Sequence, residues 1–229
     1  MDALWCVIPA AGKGVRAGGD RPKQYQPLAG RPLLDHTLER LAAHPLIAGL
    51  LVVIAADDTH FATIDQVRGK PLLTAVGGSE RSYSVLAGID ALPASVGPDA
   101  FVLVHDAARP CVRADDITRL VTLAGQGEGG LLGAPLRDTL KRADADGHSA
   151  ATEPRDGRWR AFTPQMFRRA ALAHALHLAA DAGIVVSDEA MAIERAGGKP
   201  LLVEGFEDNI KVTTAADFAL AEFLLGRTR

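Results

Sequence analysis

Short, fully apolar runs alternate along this chain with segments of helical period, and that alternation limits its fold more than any other feature. The runs fall at residues 4–9, 50–55, 72–76, 101–104, 131–135 and 201–203. Apolar positions recur at helical spacing over 33–43, 82–92, 117–124, 164–180, 189–196 and 215–225. A strand that is apolar at every position needs cover on both faces, and helices on either side of a mainly parallel sheet supply it. The expectation is an α/β chain of Rossmann-like type, one domain over 1–229, long enough to bury a substantial core. Thr163 and Pro164 read as cap and first position of the fourth helix, and Thr214 with Asp217 as a capping box with Asp in place of Glu.

Between 136 and 162 the alternation stops. The stretch is charged and holds no sustained helical period: Arg137, Asp138, Lys141, Arg142, Asp144, Asp146, Arg155, Asp156 and Arg158 all fall within it. A helix-free connection of this length in a compact domain is generally a functional loop or an excursion. Alternation in 139–142 and 158–162 predicts a protruding two-stranded arm that turns near Asp146-Gly147.

Charge and composition exclude several classes. A net charge of −3 leaves no basic surface for nucleic acid, so cations that meet phosphate must act locally. No apolar run approaches the length needed to span a membrane. Cys6 sits inside an apolar run, and with Cys111 it offers no disulfide framework, which suits a reducing compartment. Only Met1, Asp2 and Ala3 precede the first strand, so no targeting segment is expected and the chain reads as cytoplasmic.

The first strand runs straight into Pro9-Ala10-Ala11-Gly12-Lys13-Gly14-Val15-Arg16-Ala17-Gly18-Gly19. Gly12, Gly14 and Ala17 satisfy the dinucleotide-binding spacing, so an NAD-dependent oxidoreductase is one reading. That loop would have to open at once into a helix, yet Gly18, Gly19, Pro22, Pro27 and Pro32 interrupt any helix until about Leu33. Small residues let the backbone close on a triphosphate, and Lys13, Arg16, Arg21 and Lys23 bring cations of their own. This is the equipment of a nucleotidyltransferase. Asp106, just past the strand at 101–104, stands at the edge where open α/β sheets bind ligands. Its carboxylate suits Mg²⁺, which takes one or two carboxylates together with phosphate oxygens; capping of the next loop is its other reading. None of the seven histidines is a candidate, His174 and His177 reading as surface residues on one helix face.

Several motifs then appear in order along the chain. They are 9–16 with Pro22-Lys23-Gln24-Tyr25, Gly77-Gly78-Ser79-Glu80-Arg81 with Ser84-Val85, and Val104-His105-Asp106-Ala107-Ala108-Arg109-Pro110. Asp138-Thr139-Leu140-Lys141, Thr163-Pro164-Gln165, Ser187-Asp188-Glu189 and Asp208-Asn209-Ile210-Lys211-Val212-Thr213 follow. Together they resemble the 2-C-methyl-D-erythritol 4-phosphate cytidylyltransferase family. The resemblance implies a Rossmann-like nucleotidyltransferase sheet and transfer of the cytidylyl group of CTP to the polyol phosphate, in isoprenoid precursor biosynthesis. It implies Mg²⁺ on Asp106 and Asp208, and a homodimer interlocked through the 136–162 arm. Arg16, Lys23 and Lys211 would be catalytic. Ala10, Ala11, Gly12, Gly14, Gly78, Ser84 and Asp106 would bind the nucleotide. Arg109, Thr139, Arg155, Thr163 and Asp208 would bind the second substrate, with Arg158 an alternative to Arg155. Without the resemblance, Asp208 and Lys211 read equally as a surface ion pair. Ser79 departs from the acidic residue expected there. A cytidylyltransferase for another polyol phosphate, such as ribitol 5-phosphate, and a CTP-binding module without turnover are the further alternatives.

Overall fold

The computed structural model describes residues 4–12, 21–62 and 64–227. Its elements, in chain order, are β1 (Leu4–Pro9), a 3₁₀ turn (Lys23–Tyr25), β2 (Pro27–Leu28), β3 (Arg31–Pro32), α1 (Leu33–Ala43), β4 (Ile47–Ile54) and β5 (Gln66–Val67). Then come β6 (Lys70–Val76), α2 (Arg81–Asp90), β7 (Phe101–Val104), α3 (Ala114–Ala124), β8 (Gly129–Pro135), β9 (Leu140–Ala143) and β10 (Ser149–Glu153). The chain closes with β11 (Trp159–Arg168), α4 (Arg169–Asp181), α5 (Glu189–Arg195), β12 (Leu201–Glu204) and α6 (Ala215–Arg227).

An eight-stranded sheet runs in the order β12-β8-β11-β7-β1-β4-β6-β5. The pairs β1–β4, β1–β7, β4–β6 and β8–β12 are parallel, as the unbroken apolar strands require. Successive residues of a strand point to opposite faces, so each central strand feeds two cores. Cys6, Ile8, Leu50 and Val52 pack with Leu38 and Leu41 of α1 and Leu120 of α3. Val7, Leu51 and Val53 pack on the other face with Val85 of α2, Leu172 and Leu176 of α4, and Ile193 of α5. A third cluster joins Ala221 of α6 to Leu28, Leu33 and Val212.

Two expectations are corrected. Residues 164–168 are strand, not helix, and α4 begins at Arg169. β11 lies antiparallel between β7 and β8, with Gln165 opposite both Val104 and Leu131. Met166 and Phe167, both wholly buried, feed the two different cores, a strand habit that outweighs local helical spacing. Pro164 sits where the β11–β8 register shifts, the place in a sheet where a residue without an N–H is tolerated. Thr163 therefore caps no helix. The arm is also built differently, because β9 pairs with β10 and not with 158–162, of which 159–162 open β11. Its turn is where expected: Asp144 accepts from the N–H groups of Asp146 (3.0 Å) and His148 (2.8 Å), and Gly147 takes φ +85°. At α6 the Asp217 half of the capping box forms, Asp217 accepting from the Thr214 N–H at 2.7 Å, while the Thr214 hydroxyl donates to the same carboxylate at 3.0 Å.

Candidate active site

The carboxyl ends of β1 and β7 open onto a cavity of about 250 Å³, lined by Ala10, Ala11, Gly12, Lys23, Gln24, Gly78, Ser79, Arg81, Ser84, Asp106 and Lys211 among others. The wall is held close by small residues. A Cβ on Gly77 would stand 2.6 Å from that of Ala11 and 2.7 Å from Ser84 Oγ, while one on Gly78 would strike Tyr83 at 2.5 Å. Gly12 faces open space instead, leaving its backbone accessible to a ligand. Buried Gln24 straps the loop after β1, donating to the carbonyls of Ala10 (2.6 Å) and Gly12 (3.1 Å). Ser84 Oγ is turned back to the Glu80 carbonyl at 3.1 Å, leaving its lone pairs as acceptors.

Asp106 is the hub. Oδ1 accepts from Arg81 Nε at 3.1 Å; Oδ2 accepts from Arg109 Nε at 3.3 Å and Lys211 Nζ at 3.0 Å. Burial opposes its ionisation, yet Arg81, Lys211 and Arg109 overcome that and hold the carboxyl well below the usual carboxylate range. Arg81 continues outward: its Nη1 and Nη2 meet Glu189 at 2.6 and 3.3 Å. Arg109 is almost fully enclosed, donating to the carbonyls of Asn209 (2.7 Å) and Ala161 (3.4 Å) and stacking over Phe162. Lys211 is the exposed member of the set.

A second cavity of about 190 Å³ adjoins the first and shares Arg81, Asp106 and Lys211 with it. Arg109, Phe162, Thr163, Gln165 and Asp188 line its far side. Thr163 Oγ1 accepts from the Asp106 N–H at 3.0 Å and lies 3.1 Å from His105 Nδ1. His105 Nε2 is 3.0 Å from the Arg109 carbonyl, which can only accept. That assigns the proton to Nε2, so Nδ1 accepts from the Thr163 hydroxyl and the chain Asp106–Thr163–His105–Arg109 closes without an orphan. Burial drops the His105 pKa to about 4, so the ring is neutral at pH 7.

Not every expected residue comes to these cavities. Asp208 lines neither; Arg113 grips its carboxylate with Nε and Nη2 and stacks on Phe206. Asp208 and Lys211 are thus not partners, and Lys211 turns to Asp106 instead. Thr139 and Arg155 are exposed beside the arm and line neither cavity, and Arg155 bonds the Arg137 carbonyl. Arg158 turns to Pro154 and Glu153. Gly14 and Arg16 lie outside the described residues. His174 and His177 are exposed. The sequence reading passed over Arg81, Glu189, Gln24 and His105 as site residues. Each lies inside a quoted motif, which is the signal that could have drawn them in.

A family model described as 2-C-methyl-D-erythritol 4-phosphate cytidylyltransferase matches residues 4–227. Proteins of that name are similar throughout. One from Stenotrophomonas maltophilia (strain R551-3) is 55% identical over 227 residues, 98% of this chain and 97% of its own. One from Xanthomonas campestris pv. campestris (strain B100) is 56% identical over 225 residues, 97% of this chain and 84% of its own. Among solved structures, a 4-diphosphocytidyl-2C-methyl-D-erythritol synthase superposes with TM-score 0.85 at 32% identity, covering 98% of this chain and all of the other. A Francisella tularensis 2-C-methyl-D-erythritol 4-phosphate cytidylyltransferase gives TM-score 0.83 at 32% identity, covering 97% of this chain and all of the other.

Proposed function

The chain belongs to the 2-C-methyl-D-erythritol 4-phosphate cytidylyltransferase family, and from that premise we propose that its two adjoining cavities hold the two halves of one reaction. It transfers the cytidylyl group of CTP to 2-C-methyl-D-erythritol 4-phosphate, forming 4-diphosphocytidyl-2-C-methyl-D-erythritol and pyrophosphate, in isoprenoid precursor biosynthesis. The observation that carries the division is the shared wall: Asp106 and Lys211 line both cavities. CTP takes the first cavity, with its phosphates on the backbone of Ala10, Ala11 and Gly12 and its base beside Gly78 and Ser84. The polyol phosphate takes the second, against Arg109 and Thr163.

The nucleophile is a substrate phosphate, ionised at neutral pH, so no general base is needed. The P–O bond to pyrophosphate breaks as the new one forms, and the barrier is lowered by alignment and by cations near the α-phosphate. Lys23 and Lys211, which both line the first cavity, supply that charge together with Arg16. Arg109 and Thr163 reach the second substrate less directly, since both also hold Asp106.

Mg²⁺ fits one part of this donor set. Asp106 presents a carboxylate to the cavity, and a single carboxylate with phosphate oxygens suits the ion once Lys211 lifts away. Asp208, held by Arg113, does not fit as a second ligand in this arrangement. Bound there, the ion would neutralise triphosphate charge and orient the α-phosphate.

Two further readings belong to the proposal. The exposed β9–β10 ribbon is marginal as an isolated hairpin, and Thr139 and Arg155 flank its base, lining neither of this chain's own two cavities. We take it as the interlocking element of a homodimer, delivering those residues to the partner's second cavity. Cys6 and Cys111 are buried and free, as expected of a cytoplasmic protein. Among the described residues no helix is long and apolar enough to cross a membrane. The experiment is pyrophosphate release with each of the four nucleoside triphosphates and either 2-C-methyl-D-erythritol 4-phosphate or ribitol 5-phosphate. Turnover confined to CTP and the methylerythritol phosphate supports the reading; preference for ribitol 5-phosphate overturns it.

A further inference from the structure

Glu189 is a carboxylate with 1% relative exposure, at the first turn of a helix that contributes no backbone to the first cavity. Burying a charge so deeply is costly unless it is paired, and among the described residues its hydrogen-bond partner is Arg81. The pairing is bidentate, Nη1 to Oε1 and Nη2 to Oε2, which fills the fork an arginine uses to grip phosphate. The other edge of Arg81 faces Asp106 Oδ1, with Nε and Nη2 each 3.1 Å from it, so Nη2 is shared between the two carboxylates. Arg81 lines both cavities, so with its fork empty it would be one more phosphate-seeking cation at the junction.

The start of α5 is fixed with unusual care for a surface-proximal helix. Asp188 Oδ1 accepts from the Met191 N–H at 3.0 Å. Gln165 of β11 spans the joint, its Oε1 accepting from the Ala190 N–H at 2.7 Å and its Nε2 donating to Asp188 Oδ2 at 2.9 Å. These bonds tie Glu189 to the same strand that carries Thr163, the residue accepting from the Asp106 N–H. Backbone and side chain of Asp106 are thus referenced to β11 by separate routes, one through Thr163 and one through Gln165, α5, Glu189 and Arg81.

We propose that Glu189 is a positioning residue for the cytidylyl transfer: it occupies the fork of Arg81 so that Arg81 orients Asp106 and does not bind the triphosphate or pyrophosphate. This rests on the reaction assigned above. Three cations, Arg81, Arg109 and Lys211, face two carboxylates in the cluster; with Glu189 neutralised they face one. Gln at 189 offers one carbonyl where the carboxylate offered two acceptors, which frees an Nη toward the cavities. Phosphate then wins Arg81, and Asp106 loses the partner that fixes its Oδ1.

The test is steady-state kinetics of Glu189→Gln, with pyrophosphate as product inhibitor. Turnover should fall about tenfold, as for loss of one charge-assisted hydrogen bond, while the pyrophosphate inhibition constant falls and does not rise. In an Arg81→Met background, Glu189→Gln should change turnover by less than twofold, because its effect passes through Arg81. Arg81→Lys keeps the charge but cannot bridge both carboxylates, and it should repeat the turnover loss with tighter pyrophosphate; it carries the test alone if Glu189→Gln does not fold. A Glu189→Gln enzyme with unchanged turnover and a lowered melting temperature would make the pair merely structural and overturn the proposal. So would weaker pyrophosphate inhibition, or additive losses in the double variant. Wild-type turnover in the same assay separates this failure from failure of the reaction itself.

Discussion

Lys211 Nζ lies 3.0 Å from Oδ2 of Asp106, at the rim where the two cavities meet. Arg109 is enclosed and Arg81 is held by Glu189, so Lys211, with 44% of its side chain exposed, is the cation of this set able to leave. A divalent ion held by Asp106, as proposed above, would compete with Lys211 for one carboxylate oxygen and would release Lys211 toward phosphate.

The first prediction follows from that exchange. Activity should vanish in chelator and return with Mg²⁺, and Asp106→Asn should raise the Mg²⁺ needed for half activity by at least about tenfold. In Lys211→Gln, Mn²⁺ titrated into the nucleotide-free protein and followed by paramagnetic resonance should bind more tightly than in wild type, because the competing cation is gone. Full activity in chelator would remove the metal from Asp106.

Lys23 tests a second lysine that lines the first cavity. Lys23→Ala should lower turnover by roughly two to three powers of ten, as loss of a transition-state charge partner does, with a smaller effect on CTP binding. Rapid-quench turnover and nucleotide titration separate the two effects. A variant within tenfold of wild type in turnover would place Lys23 outside the catalytic step.

These residues mark how far the sequence could be read. Strands β1 and β7 and helix α1 lie where apolar patterning placed them, because a strand buried on both faces and an amphipathic helix carry their environment in their own residues. β11 does not. Alternation marked 158–162 as extended, but 164–168 carried helical spacing, and only docking between β7 and β8 makes Met166 and Phe167 strand. The site divides in the same way. Asp106 was legible from its place past a strand, Lys23 from the loop after β1 and Lys211 through the resemblance, and all three line the first cavity. The partner of Arg81 was not, since nothing local in either sequence segment pairs position 81 with position 189. The partner of Asp208 was hidden for the same reason: its adjacency to Lys211 in sequence concealed that Arg113 takes it.

His105 makes stability depend on pH. Its pKa is about 4 in the folded protein against 6.5 for an ordinary histidine, through burial. Between those values the unfolded chain holds the proton and the folded chain does not, so acid favours unfolding. The neutral ring's contribution is complete above about pH 6.5 and declines as pH falls toward 4, by about 2 kcal/mol between pH 7 and pH 5. Urea midpoints at the two pH values measure it. His105→Gln should be less stable at pH 7 yet lose less on acidification than wild type; an equal loss in both proteins would assign the acid sensitivity elsewhere.

The arm gives the last prediction. If the partner's cavity receives Thr139 and Arg155, Arg155→Ala and Lys23→Ala break different halves of a composite site. Co-refolding the two inactive variants forms heterodimers in which one site carries both defects and the other neither. Random pairing makes such heterodimers about half of the population, each with about half the activity of a wild-type dimer, so recovery should reach about a quarter of wild type. Deleting the β9–β10 ribbon should leave the eight-stranded sheet folded, because the ribbon pairs only with itself, while converting the protein to an inactive monomer in light scattering. Heterodimers that form without recovering activity would mean that each arm serves its own chain, and Arg155 would then have to leave the Arg137 carbonyl and swing inward to act.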